Sequence, residues 1–572
     1  MPARVRIDFD VPMRMRDGTV LRADIYRPDV PGKYPAVLIR TPYGKDRVSS
    51  ASLVHPVALV REGYAVVVQD IRGRFASDGV WERHRMFEVE GPDGYDSVEW
   101  IAAEPWCDGN VATAGASYLA TLQWIAAMEA PPHLKAFAPC NGDIAPGIAP
   151  PPESGVVAFY AAANALPVTA LDHIDRLEAE GRDVSGLRRE LERMMRDPDA
   201  VLRHLPFRGL PVFRFEPIRL MLEQRLELPT VDTWRKRRRY DRVNVPGLHI
   251  GGWFDQMESA VFANCGRLKR EAASEFARAN QYLLIGPWDH GSPSSAVGEG
   301  DFGQEAGDER LLRRFVLDFY DRFLRARDVS IPPVRYFVMT ANEWRTADSW
   351  PPPDVRRTDW FLHSRGRANT ADGDGTLSQR DPDDEPADEY VYDPLDPVPT
   401  VGGRFWGMRG EVPGPRDQGR IERRNDVLCY TSAELPRDLE VTGPVVLRLF
   451  AASSAVDTDF AAKLTDVFPD GRSMLVAEGI QRARYRRRDL VPEPIEPHRI
   501  YEYEIHLGNT SYVFRKGHRI RLHVTSSNFP LYDRNMNTGR GIGEDAEGVP
   551  ARQTVFHDRN HPSRLVLPIR KE

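Results

Sequence analysis

The sequence predicts an α/β protein in which a doubly wound sheet core is interrupted by an inserted helical cap and followed by a C-terminal β-sandwich. Three observations carry this. Short apolar runs at residues 36–40, 64–68, 110–114 and 134–138 alternate with helical stretches, the pattern of a parallel sheet covered by helices. Residues 141–244 change to helical periods rich in Arg, Glu and Leu, as in Leu187-Arg188-Arg189-Glu190-Leu191-Glu192, where Ser185 is the expected N-cap. Beyond Pro351-Pro352-Pro353 no strong helical period remains. There Val446, Arg448 and Phe450 alternate with Val445, Leu447 and Leu449 between Pro- and Gly-rich turns.

In chain order, an opening hairpin turning at Asp17-Gly18 begins the sheet, with Leu21, Ala23 and Ile25 on one face. Residues 1–140 form the first part of the core, 141–244 the cap, 245–350 the second part of the core and 351–572 the β domain. A chain of 572 residues is too long for one hydrophobic core, so division into domains is expected. The acidic stretch from Asp372 to Asp388 reads as a surface loop.

The chemistry is carried first by Val111-Ala112-Thr113-Ala114-Gly115-Ala116-Ser117-Tyr118-Leu119-Ala120: a buried strand, a sharp turn of small residues, and a helix start. This is how α/β-hydrolases present a nucleophilic serine, because small neighbours let the chain turn and leave the hydroxyl projecting. Gly471-Arg472-Ser473 also fits a bare Gly-x-Ser pattern, but it follows Pro469-Asp470 between two alternating runs and reads as a hairpin.

A nucleophile needs a base and an orienting acid, and in this arrangement both follow the serine on later strand exits. Leu248-His249-Ile250 runs into Gly251-Gly252-Trp253-Phe254-Asp255, and Tyr282-Leu283-Leu284-Ile285 runs into Gly286-Pro287-Trp288-Asp289-His290. His290 is the expected general base and Asp255 the residue that holds its tautomer, with Asp289 as the competing acid. The backbone N–H of Tyr118 is one expected oxyanion donor. The Tyr43 hydroxyl, on the loop after the strand at 36–40, is the other.

Thr41-Pro42-Tyr43, Gly63-Tyr64 through Gln69-Asp70 with Arg72-Gly73, the serine turn ending in Gln123-Trp124, Gly252-Trp253-Phe254-Asp255 and Gly286-Pro287-Trp288-Asp289-His290 together resemble the cocaine-esterase and X-Pro dipeptidyl-peptidase family of serine hydrolases. Late motifs, Val456-Asp457-Thr458-Asp459-Phe460 and Ser526-Ser527-Asn528-Phe529-Pro530, resemble that family's terminal β domain. The resemblance implies an acyl-enzyme mechanism, Ser117, His290 and Asp255 as the triad, Tyr43 and Tyr118 as the oxyanion hole, and a jelly-roll β domain. Ala120 departs from the glycine common in the family. Where cocaine-hydrolysing relatives carry tryptophans, this chain offers Phe159, Tyr160 and the prolines at 150–152, which argues against cocaine as substrate. Relatives that hold a substrate amine use clustered carboxylates; here the loop after the acid offers Glu258. Phe159, Tyr160, Phe254 and Glu258 are the expected substrate contacts.

The expected activity is thus ester hydrolysis on a small molecule. X-Pro dipeptide release and α-amino-acid ester or β-lactam acylation are variants, and a catalytically silent binding protein is the non-enzyme alternative. A net charge of −7 argues against nucleic acid as partner, and the one basic run, Arg235-Lys236-Arg237-Arg238-Arg239, reads as a solvated helix face. No apolar run is long enough for a bilayer. Four scattered cysteines, Cys107, Cys140, Cys265 and Cys429, suggest neither a metal site nor a disulfide framework. Acidic residues near the N-terminus replace a secretory signal, so a cytoplasmic location is expected. No cofactor is called for.

Overall fold

The computed structural model describes residues 4–50, 54–144, 152–227, 236–291, 293–406 and 410–571. Pro150, Pro151 and Arg235, named above, lie outside them. The first body is a ten-stranded sheet: β1 (Val5–Arg14), β2 (Val20–Pro28), β3 (Tyr34–Thr41), β4 (Ala65–Asp70), β5 (Cys107–Ala116), β6 (Leu134–Cys140), β7 (Gly247–Gly252), β8 (Gln281–Gly286), β11 (Val334–Val338) and β12 (Glu343–Ala347). The short strands β9 (Ala296–Val297) and β10 (Gly300–Asp301) pair only with each other. The sheet runs β1-β2-β4-β3-β5-β6-β7-β8-β11-β12, parallel from β4 to β11 and antiparallel at both edges. Its central strands are buried on both faces, as their unbroken apolar runs require. Past β11 the sheet gains one further antiparallel strand. That last strand, β12, is exposed to half-buried throughout and carries Glu343 and Arg345, as suits an edge.

Helices α1 (Pro56–Arg61), α2 (Met86–Ala103) and α3 (Tyr118–Met128) cover the sheet. Between β6 and β7 stand α4 (Tyr160–Ala179), α5 (Ser185–Arg196), α6 (Pro198–Arg203) and α7 (Glu216–Leu226). Ser185 is the first residue of α5 rather than its cap. The Asp183 carboxylate, a stronger acceptor, takes the Ser185 N–H at 3.1 Å. The basic run is solvated only in part: Lys236 and Arg239 are exposed, whereas Arg238 pairs with the buried Asp143 at 3.1 Å and Arg237 lies over the Phe87 ring.

The second body is an 11-stranded, largely antiparallel sheet folded over an apolar core that includes Leu447, Leu449, Phe460, Leu464, Leu522 and Val524. Asp388, at the end of the acidic stretch, departs from the surface-loop expectation. It is fully buried at the start of the strand Asp388–Tyr392, where Ser364, Tyr430 and His557 satisfy its carboxylate.

Candidate active site

Ser117 stands between β5 and α3 with φ 60° and ψ −121°, a left-handed backbone that L-residues rarely adopt. The turn tolerates this because its neighbours are small. Gly115 has φ +129°, and a Cβ there would lie 2.6 Å from the Leu119 Cβ. The Ser117 N–H is held by the Cys140 carbonyl at 2.9 Å, which ties the turn to β6. Ala120 is accommodated by a compensating glycine: a Cβ on Gly142 would fall 2.3 Å from the Ala120 methyl.

The exits of β7 and β8 bring the other two side chains to this turn. His290 Nε2 lies 2.8 Å from Ser117 Oγ, and His290 Nδ1 lies 2.6 Å from Asp255 Oδ2. The second Asp255 oxygen accepts the Met257 N–H, so the carboxylate is fixed from both sides and fully buried. Burial pushes the imidazole pKa down, but the charge and hydrogen bond of Asp255, aided by Asp289, outweigh it and the net direction is upward. Asp289 does not compete for the ring; its carboxylate accepts the N–H of Gly291 in its own loop at 2.8 Å.

Tyr43 stands on the exit of β3. The Lys45 N–H on the Asp70 carboxylate (2.7 Å) and Arg74 Nε on the Pro42 carbonyl (2.9 Å) hold that loop. Burial raises the Tyr43 phenol pKa against the smaller opposing effects of Arg83 and Ser117, so it stays neutral and able to donate. The Tyr118 amide begins α3, where the first N–H groups lack intrahelical acceptors and the helix dipole favours negative charge. A neutral phenol and the first amide of α3 therefore lie near the serine, whose hydroxyl meets the His290 imidazole.

The expected substrate contacts are placed less uniformly. Tyr160 reaches the site's border: its hydroxyl accepts the Trp406 N–H at 3.1 Å, and the Trp406 ring lies 6.2 Å from that of His290. Phe159, one residue earlier, is enclosed between Phe207 and Phe529. Phe254 points into the apolar core against Phe302, because its N–H is bonded to the Trp288 carbonyl and fixes the loop's orientation. Glu258 is turned to the β domain, where its carboxylate accepts the N–H and side-chain amide of Asn509 and the Ser259 hydroxyl. That occupation leaves it structural rather than an amine anchor. Sequence reasoning missed Trp406, which the β domain delivers from a loop with no periodic signal, and Arg83, whose guanidinium lies over the Tyr118 ring.

The geometry agrees with what the chain is similar to. It is 39% identical to the cocaine esterase of Rhodococcus sp. (strain MB1 Bresler), over 98% of each chain. Residues 17–292 match the X-Pro dipeptidyl-peptidase (S15 family), and residues 329–566 match the X-Pro dipeptidyl-peptidase C-terminal non-catalytic domain. The chain belongs to the cocaine-esterase and X-Pro dipeptidyl-peptidase family of serine hydrolases. Two solved family-like folds span it fully. One is an aminopeptidase from a marine sediment archaeon, Thaumarchaeota archaeon (TM-score 0.75, 24% identity, 97% of that chain). The other is an α-amino acid ester hydrolase (TM-score 0.72, 23% identity, 97% of that chain). At these identities they speak for the fold: an α/β-hydrolase core with a helical insertion and a β-sandwich.

Proposed function

We propose that this serine hydrolase cleaves a small-molecule carboxylic ester through an acyl-enzyme, with Ser117 as nucleophile, His290 as base and Asp255 as orienting acid. The observation that carries the reading is the unbroken hydrogen-bonded line from Ser117 Oγ through the His290 ring to Asp255. In acylation, His290 Nε2 takes the hydroxyl proton as Oγ bonds to the ester carbonyl carbon. The carbonyl oxygen becomes an oxyanion, met by the Tyr43 hydroxyl and the Tyr118 amide. Collapse expels the alkoxide, which leaves as alcohol with the proton from His290. Water, deprotonated by the same imidazole, then attacks the acyl carbon and releases the acid. Asp255 keeps Nδ1 protonated throughout and stabilises the imidazolium.

Ester is favoured over X-Pro peptide because peptide release from a free amino terminus needs anionic anchors. Glu258, the carboxylate in the loop after the acid, is occupied, and the guanidinium over the Tyr118 ring, that of Arg83, is cationic. The 39%-identical esterase supports the same choice. A cytoplasmic location belongs to this reading, supported by four buried, unpaired thiols. Among the described residues, no helix is long and apolar enough to cross a membrane.

The test is a panel of p-nitrophenyl esters beside Ala-Pro-p-nitroanilide. Ester turnover with little anilide cleavage is expected, whereas efficient anilide cleavage with weak ester turnover would overturn the ester preference. No turnover of any substrate, with no reaction at Ser117, would leave the silent binding protein.

A further inference from the structure

Where the chain leaves β3, the peptide unit between Pro42 and Tyr43 is held at both of its polar atoms. Its N–H, that of Tyr43, is accepted by the Thr41 hydroxyl at 3.0 Å, and its carbonyl, that of Pro42, accepts Arg74 Nε at 2.9 Å. A peptide unit is planar and the proline ring fixes φ, so these two bonds set the direction in which the next side chain leaves the backbone. That side chain is the Tyr43 phenol. The Thr41 hydroxyl comes with the strand itself, whereas the guanidinium comes from the turn after β4, 32 residues further on.

Arg74 is in turn tied to the cap. It is 2% exposed, and its guanidinium lies 4.6 Å over the Trp81 ring and 5.2 Å from the centre of the Phe75 ring. The carboxylate it meets, Asp172 at 3.5 Å, belongs to helix α4 of the cap. The same carboxylate accepts the Phe75 N–H at 3.3 Å, and Arg176, one turn along α4, donates to the Phe75 carbonyl at 2.9 Å. Phe75 has a left-handed backbone, φ 43°, which a residue with a bulky side chain keeps only where its surroundings impose it. His173 completes the seat, its ring 6.2 Å from that of Trp81. One buried guanidinium thus bridges a carboxylate of the cap and the carbonyl next to Tyr43.

We infer that Arg74 is a positioning residue for ester hydrolysis: it aims the Tyr43 hydroxyl, and it makes that aim depend on the seating of α4. The inference rests on the oxyanion role proposed above for Tyr43. A donor stabilises a developing oxyanion only from the right distance and angle, so a Pro42–Tyr43 peptide released from Arg74 lowers kcat without weakening the ground-state complex. A charged donor in a rigid planar group holds the carbonyl more firmly than a neutral or flexible one.

The experiment is a double-mutant cycle on a p-nitrophenyl ester, with kcat and KM measured for Arg74→Met, Tyr43→Phe and the double variant. Arg74→Met is expected to lower kcat by about 10²-fold, the scale of a catalytic group displaced by about 1 Å, with KM little changed. In the Tyr43→Phe background the same substitution should cost almost nothing more, because no hydroxyl is left to aim. Arg74→Lys should restore part of kcat. Asp172→Asn, at a partly exposed position that leaves the core intact, should show a smaller fall that also vanishes in the Tyr43→Phe background. A trifluoromethyl ketone, which becomes an oxyanion when Ser117 adds to it, should lose affinity for Arg74→Met in step with kcat. A near-normal kcat in Arg74→Met, a rise in KM at full kcat, or losses that multiply in the double variant overturn the inference and leave Arg74 a fastener of the fold. If Arg74→Met does not fold, the Asp172→Asn cycle decides by the same criteria. A near-normal Tyr43→Phe would fell the oxyanion role itself, whereas a large Tyr43→Phe loss with multiplying losses fells only the part given to Arg74.

Discussion

Two Gly-x-Ser tripeptides in this chain, Gly115-Ala116-Ser117 and Gly471-Arg472-Ser473, share a local pattern and little else. Ser473 opens the strand Ser473–Arg482 after a tight turn, in ordinary strand backbone, fully buried, its hydroxyl on Thr465 at 2.8 Å and its N–H on Asp417. Ser117 sits in left-handed backbone at a strand-to-helix junction, with its hydroxyl 2.8 Å from an imidazole that comes from 173 residues further on. The difference teaches that the turn only presents the hydroxyl. Reactivity comes from what a parallel sheet delivers to the same edge, because βα units place every strand exit on one side.

The sharpest break of the comparison is alanine at each serine. Ser117→Ala should lower kcat by about six orders of magnitude, the scale of losing a nucleophile. Retained esterase activity in the purified variant would contradict this. Tyr43→Phe removes one donor from the oxyanion site without removing the nucleophile. It should lower kcat by about 10²–10³ with little change in KM. A near-normal kcat would remove the phenol from the mechanism.

The charge state of His290 comes next. The base must be neutral, and its pKa is raised by the Asp255 charge and hydrogen bond in spite of burial. The protonated, inactive form then persists to higher pH than in free imidazole. The acid limb of kcat/KM should have its midpoint above the usual value of about 6.5, falling tenfold per pH unit below it. Asp255→Asn should move that midpoint down. A wild-type limb at or below 6.5 would contradict the sign. Smallest is Ser473→Ala, which should leave kcat/KM intact and cost about 1 kcal/mol in denaturant unfolding, the worth of one buried hydrogen bond. A loss of activity at full stability would give the hairpin serine a role that its contacts do not predict.

What was legible in the sequence follows the same division. Ser117, Asp255 and His290 could be located as strand exits because Gly and small residues mark those turns locally, and the sheet strands could be read from apolar runs that need burial on both faces. The directions in which Phe254 and Glu258 point could not, since the Trp288 carbonyl and Asn509 that fix them lie 34 and 251 residues away. Trp406 carries no local mark at all: it becomes notable only beside His290. Ser185 and Asp388 show smaller failures of the same kind, where the Asp183 carboxylate takes the Ser185 N–H ahead of the helix and a histidine from the far end of the β domain meets a buried acid.

The central claim, that Ser117 alone of the two is activated by a converging histidine and carboxylate, is tested most directly by fluorophosphonate labelling followed by intact-mass measurement. One adduct is predicted on the wild type and on Ser473→Ala, and none on Ser117→Ala. An unmodified wild-type mass, or an adduct that survives Ser117→Ala, would contradict it.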